Sequence, residues 1–104
     1  MNLRDCPPIG CAEKLKILSD TTRLAVLEIL MESPKHVGEL NAVLAIEQSL
    51  LSHHLKILRQ ARFVEATRDG KAVLYQLAPE VVYSRRGIDL GCCLLLFKAD
   101  VVQE

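Results

Sequence analysis

Apolar side chains recur with two different periods along this chain, and the change of period divides it. Up to about residue 61 they return every three or four positions, the helical spacing. A first helix is predicted from Cys11 to Leu18, with Cys11, Leu15 and Leu18 on one face. The capping run Ser19-Asp20-Thr21-Thr22 then introduces a second helix, about Thr22 to Glu32, which Ser33-Pro34 ends. Its apolar residues Leu24, Val26, Leu27, Ile29, Leu30 and Met31 are spread round the axis, as expected of a helix surrounded by others. A short third helix covers about Val37 to Ala45. After a tight break at Ile46-Glu47, a fourth runs to about Ala61, with Leu51, Leu55 and Leu58 on one face and Ser49, Ser52, His53, Lys56 and Arg59 or Gln60 on the other.

Beyond that point the alternation is of period two. Phe63 to Arg68 and Lys71 to Leu77 read as strands, joined through Asp69-Gly70, a dipeptide suited to the positive φ angles of a type I′ turn. Pro79-Glu80 has the composition of a helix start, Pro at the first turn and an acid beside it. A last helix is therefore predicted to about Val102, weakened at Gly87 and Gly91. Before all of these, residues 1–10 form an irregular arm containing Pro7, Pro8 and Gly10. The fold class expected is mainly α with a β-hairpin, in the order α-α-α-α-β-β-α. It divides into an arm (1–10), a core (11–78) and a C-terminal dimerisation helix (79–104).

Composition sharpens this picture. The chain has 104 residues, enough for one domain with a modest core, yet half of it is hydrophobic and only 4% aromatic. That excess of Leu, Val, Ile and Ala suits helices packing on helices, within or between chains, and calls for a partner surface. Met1 to Gly10 has no signal-like apolar stretch, and Leu90 to Phe97 is far short of the ~20 residues a bilayer needs. A soluble cytoplasmic protein without membrane contact is expected.

Acidic and basic residues balance at 13 each, so the total charge does not point to nucleic acid. Their placement does. Lys56, Arg59, Arg62, Arg68 and Lys71 face only Glu65 and Asp69 in the same stretch. A local basic stripe suffices, because charge interactions are screened within about 8–10 Å at physiological salt. Two helices joined by a tight turn, followed by a charged hairpin, are the order of a winged helix-turn-helix. Its second helix needs polar side chains near its start to meet base edges. Gln48, Ser49, Ser52 and His53 are the candidates for base contact, with Lys56, Arg59, Arg68 and Lys71 for phosphates or a minor groove. Double-stranded DNA is the partner this implies. No Gly-rich phosphate loop, nucleophile motif or acid–base cluster points to an enzyme. A protein-interaction module is the alternative, disfavoured by the polar face of the fourth helix.

The segments Leu18-Ser19-Asp20-Thr21-Thr22-Arg23-Leu24, Leu51-Ser52-His53-His54-Leu55-Lys56-Ile57-Leu58-Arg59, and Gly70-Lys71 to Tyr75-Gln76-Leu77 resemble the ArsR/SmtB repressors. The resemblance spans about Lys14 to Leu77. It implies a homodimer built from the first and last helices, and a repressor released from its operator by an inducer. Thr21 replaces the family's usual Pro, and Arg62 stands where Gly is usual, implying a less sharply turned helix end. The family's thiol pair before the recognition element falls at His36 and Gly38. Its last-helix zinc site falls at Pro79, Val81, Cys92 and Leu95. Neither ligand set carries over.

Four cysteines remain, Cys6 and Cys11 near the start and Cys92 and Cys93 late in the last segment. In a reducing compartment they are read as a metal or redox site rather than as structural disulfides. Thiolates suit As(III), Sb(III), Cd, Pb or Zn. A disulfide or persulfide switch is the second reading, and haem ligation through Cys6-Pro7 a third. Packing of Cys92 and Cys93 as small apolar residues is the plain alternative. On a helix, adjacent side chains diverge by about 100°, so those two would share one ion only with local distortion. Metal binding by His36, His53 and His54 is not expected.

Overall fold

The computed structural model describes residues 10–98. Four helices come first: α1 (Cys11–Leu18), α2 (Thr21–Glu32), α3 (Val37–Leu44) and α4 (Gln48–Gln60), with the two-residue strand β1 (Lys35–His36) between α2 and α3. Strands β2 (Val64–Asp69) and β3 (Ala72–Leu77) form the hairpin, and β1 joins it in the order β1-β3-β2. The caps follow the sequence closely. Asp20 accepts from the N–H of Arg23 at the start of α2, and that bond holds its carboxyl below the usual range. At the end of α3, Ala45 takes a left-handed conformation (φ 54), which makes the tight turn into α4.

One core unites the helices and the hairpin. Leu27, Leu40, Leu51, Leu55 and Leu58 are fully buried, and Phe63 and Val64 continue them into the hairpin. The amphipathic reading of α4 is correct. The hairpin differs from expectation by one position, since Asp69 pairs with Ala72 and the turn residues are Gly70 and Lys71. Gly70 alone has positive φ (65), the pattern of a type II′ rather than a type I′ turn. Arg62 likewise departs from expectation. It adopts φ 68, so α4 ends in a sharp left-handed turn although no glycine is present.

The predicted last helix is absent from the described residues. Pro79–Val81 forms only one 3-10 turn, after which come strands β4 (Val82–Ser84), β5 (Gly87–Asp89) and β6 (Leu94–Leu96), an antiparallel meander in that order. Two physical features decide this. Gly87 pairs with Leu96, and a Cβ there would lie 2.7 Å from Leu96 Cδ2 and 2.8 Å from Tyr83 Cδ2, so both side chains cross over its bare backbone. Gly91 takes φ 88, and its N–H donates to Asp89 Oδ1 at 2.7 Å, closing the turn that a continuous helix would have straightened. This second sheet joins the same core through the buried Val81, Ile88 and Leu90. The C-terminal region over these residues is thus a sheet and not a dimerisation helix.

Candidate nucleic-acid interface and thiol cluster

Helix α4 presents two contrasting faces. Leu51, Leu55 and Leu58 are buried, whereas Gln48, Ser49, Ser52, His53, Lys56 and Arg59 are all exposed along the other side. Arg68 and Lys71 are exposed at the tip of the hairpin. Every residue proposed from sequence for DNA contact therefore lies at the surface, on two adjoining elements. Ser49 donates to Glu47 Oε1 at 2.9 Å, so its hydroxyl already has a local partner.

His54 behaves differently from its neighbour. It is only 8% exposed, and Arg23 Nη1 donates to its Nδ1 at 3.0 Å. A guanidinium can only donate, so Nδ1 is the acceptor and a neutral His54 carries its proton on Nε2. Arg23 Nε also donates to the carbonyl of Ile17 at 2.6 Å. One side chain thus ties the end of α1 to α2 and α4 and fixes the orientation of the polar-faced helix. No period or spacing revealed this contact. The only clue was Arg23, the single basic residue of α2.

A second polar link secures the hairpin. His36 Nε2 lies 2.8 Å from Asp69 Oδ2 at the tip, and its Nδ1 lies 3.2 Å from Glu39 Oε1. The side chain of Glu39 also accepts from the His36 backbone N–H at 2.7 Å. Bonding to the Asp69 carboxylate raises the His36 pKa above its ordinary value, and the backbone bond lowers that of Glu39. The two nitrogens of His36 thus point to carboxylates on opposite sides of the ring, which suits a bridge and not a shared ion.

Three of the cysteines converge at the start of α1. Cys11 is the first residue of α1, and Cys92 and Cys93 lie in the turn between β5 and β6. Because that turn replaces the expected helix, the divergence of adjacent helical side chains no longer separates them. Cys11 and Cys92 are joined by a disulfide, and the free Cys93 has its Sγ 3.7 Å from that of Cys11. The three sulfurs lie within 4.8 Å of one another. Noncovalent contacts hold the same turn, since Lys14 Nζ donates to the Leu90 carbonyl at 2.6 Å. Three soft donors at this separation fit a thiophilic ion once they are reduced. Cys6 lies outside the described residues.

The turn-linked helices, the polar face of α4 and the adjoining hairpin define a winged helix-turn-helix protein. A family model described as "Bacterial regulatory protein, arsR family" matches residues 20–66. The HTH-type transcriptional regulator NmtR of Mycobacterium tuberculosis is 32% identical over 88 residues, covering 77% of this chain and 73% of that protein. The chain belongs to the arsR family, which resolves the family resemblance noted above and is a family of regulators rather than enzymes.

The HTH-type regulator Rv0081 of the same organism is 43% identical over 68 residues, covering 64% of this chain and 60% of the relative. Its crystal structure matches with a TM-score of 0.63, over 64% of this chain and 68% of that one. A further solved structure, titled as a possible transcriptional regulator for arsenical resistance, matches at 29% identity and a TM-score of 0.60, covering 64% and 69% of the two chains. The chain spans about 60% of the length of Rv0081. Among the described residues, no helix is long and apolar enough to cross a membrane.

Proposed function

We propose that this protein is a cytoplasmic, DNA-binding transcriptional repressor that acts as a homodimer and leaves its operator when a soft metal or metalloid binds its cysteines. The observation that carries DNA binding is the exposed polar face of α4 beside the exposed Arg68 and Lys71. Gln48, Ser49, Ser52 and His53 meet base edges, while Lys56, Arg59, Arg68 and Lys71 meet phosphates or a minor groove. A symmetric dimer presents two such helices about 34–36 Å apart, one turn of DNA. With no last helix among the described residues to pair, the dimer draws on exposed apolar side chains, Leu15 on α1 and Tyr83, Leu94 and Leu96 on the second sheet.

The inducer reading is supported by the Cys11, Cys92 and Cys93 cluster. Three thiolates, with no further Cys, His, Asp or Glu among the described residues of that group, suit As(III) or Sb(III) best, with Cd, Pb and Zn as other occupants. A relative whose title concerns arsenical resistance is consistent with this. A second reading, a repressor governed by thiol oxidation or persulfidation, is favoured by the bond between Cys11 and Cys92.

Fluorescence anisotropy on a palindromic duplex from the protein's own promoter tests the first part. Tight binding that weakens with salt and exceeds that of scrambled duplex is expected. Lys56→Ala or Arg68→Ala should weaken all duplexes and reduce the salt slope by about 1, whereas Ser52→Ala and His53→Ala should erode discrimination. Equal affinity for promoter and random duplex, with a monomer in sedimentation, refutes the reading. Arsenite or Cd²⁺ added to the reduced complex should release the DNA. A coupling of about 1–3 kcal/mol corresponds to a 5- to 150-fold loss.

A further inference from the structure

The three sulfurs at the junction of α1 and the second sheet are not equivalent. Cys11 and Cys92 are bonded, while Cys93 keeps an exposed free thiol 3.7 Å from Cys11 and 4.0 Å from Cys92. From this arrangement we infer a redox-gated ion site. It is open to a trivalent metalloid or thiophilic cation when all three thiols are reduced. A two-electron oxidant of the peroxide class closes it by joining Cys11 to Cys92. The inference rests on the reading above that these thiolates take a soft ion, and it specifies how that site is controlled.

The two reactions draw on the same atoms. Arsenous acid loses three hydroxyl groups and the thiols lose three protons. Three S–As bonds form, three waters leave, and no electrons change hands. Oxidation instead moves two electrons from the thiols of Cys11 and Cys92 to hydrogen peroxide. Its O–O bond breaks, the S–S bond forms, and two waters leave. A sulfur in a disulfide is no longer a thiolate, the form that binds metal. Of the three described thiols, the oxidised site therefore offers Cys93 alone. The reverse also holds, because an ion in place occupies the lone pairs with which Cys11 and Cys92 would attack peroxide. Each input excludes the other, and the coupling is reciprocal.

Such a gate requires the thiols to stay together after reduction. The structure supplies that without the S–S bond. Lys14 Nζ holds the Leu90 carbonyl at 2.6 Å, Asp89 closes the turn onto the Gly91 N–H at 2.7 Å, and the Leu90 side chain is buried in the core. Reduction leaves these contacts intact, so the three donors remain grouped at the end of α1.

The test uses the whole chain, reduced with a phosphine and freed of reductant without oxygen. It is titrated separately with arsenite and Cd²⁺, following near-ultraviolet sulfur-to-metal charge-transfer absorption. The titrations are repeated after stoichiometric peroxide and again after re-reduction, with thiols counted at each stage. Binding by the reduced protein is expected, with an affinity loss above about a hundredfold on oxidation and recovery on reduction. Loss of even one outer-shell partner costs 10- to 100-fold, and here two of three ligands are withdrawn. Cd²⁺ bound beforehand should slow the loss of thiols to peroxide. Equal affinity before and after oxidation overturns the gate and leaves the ion site standing. No binding by the reduced protein overturns the ion site, and the gate with it. Cys93→Ser should still form the Cys11–Cys92 bridge with peroxide yet bind neither ion. If it binds them at full strength, the three-thiolate site is refuted.

Discussion

The described residues form two three-stranded antiparallel sheets whose turns carry opposite chemistry. The hairpin sheet ends in Arg68, Asp69, Gly70 and Lys71, all exposed, and is tied back to the helices by the ionisable bridge from His36 to Asp69. The second sheet turns through Gly91, Cys92 and Cys93 and is tied back by sulfur chemistry and by Lys14. Its outer face bears Tyr83, Leu94 and Leu96, between 45% and 60% exposed. A charged tip on a titratable tether suits a polyanionic partner, whereas an apolar face beside a redox-active tether suits a protein surface and a chemical signal. On the function proposed above, the same architecture is divided between contact and control by the side chains at its turns.

Reduction should separate the two tethers most strongly. The bond between Cys11 and Cys92 closes a loop with a sequence separation of 81 residues. In the chain-entropy model a loop of this size contributes up to about 4–5 kcal/mol. Denaturant unfolding of the oxidised and reduced protein should therefore give midpoints far apart. The hairpin link, which involves no sulfur, should keep its histidine titration in both states. Coincident midpoints would mean that the noncovalent contacts of the second sheet already suffice.

Next in size is a test of how far the second sheet belongs to the common core. Ile88 is fully buried at the centre of β5. Ile88→Ala should cost about 2–5 kcal/mol, the range for truncating a buried branched side chain. If the sheet is integral to the core, unfolding remains a single transition. A separate early transition confined to 79–98 would show that it docks as an independent unit.

These two regions also differ in how well they could be foreseen, for a physical reason. From Cys11 to Gln60 apolar residues recur at helical spacing, most plainly in α4, where one face is buried and the other wet, so the helical period is written in the residues themselves. Gly70 likewise declares a turn. In the second sheet, Leu94-Leu95-Leu96 is a continuous apolar run, which fits a helix or a strand equally. Pro79-Glu80 then tipped the reading towards helix. Gly87 and Gly91 were the contrary signs, at about 1 kcal/mol each inside a helix, but only the crossing of Tyr83 and Leu96 over Gly87 shows what the missing Cβ is for. The cysteines were identifiable as a candidate metal or redox site, with Cys92 and Cys93 expected on a last helix. They meet instead at a strand turn. The two-residue strand β1 and the Arg23–His54 contact have no periodic signature at all.

A smaller effect is expected where α4 gives way to the hairpin. Arg62 holds φ 68, a conformation that costs a residue with a Cβ roughly 1–2 kcal/mol. Glycine adopts it freely but loses more chain entropy on folding. Arg62→Gly should therefore stabilise the protein by a net of about 0.5–1 kcal/mol, seen as a higher midpoint in thermal unfolding. A fall in midpoint would mean that the arginine side chain contributes more than its backbone strain removes.

The subtlest contrast concerns pH, and it belongs to the hairpin alone. His36 has a raised pKa, chiefly through Asp69 and also through Glu39, so its contribution is complete below the ordinary value of 6.5 and disappears as pH rises through the folded value. Glu39 is lowered, mainly by the His36 N–H, so its share is complete above 4.5 and is lost as pH falls through its folded value. Both are fully present only between about those two ordinary values, and above 6.5 the tether of the tip weakens first. Histidine proton resonances followed across this range should place His36 above 6.5, and Asp69→Asn should bring it down towards that value. The exposed position of His36 makes the effect on overall stability small, so the readout is the titration itself and the amide exchange of residues 68–71. If Asp69→Asn leaves the His36 titration where it was, the tip is not tethered in solution, and the hairpin approaches DNA as a free arm.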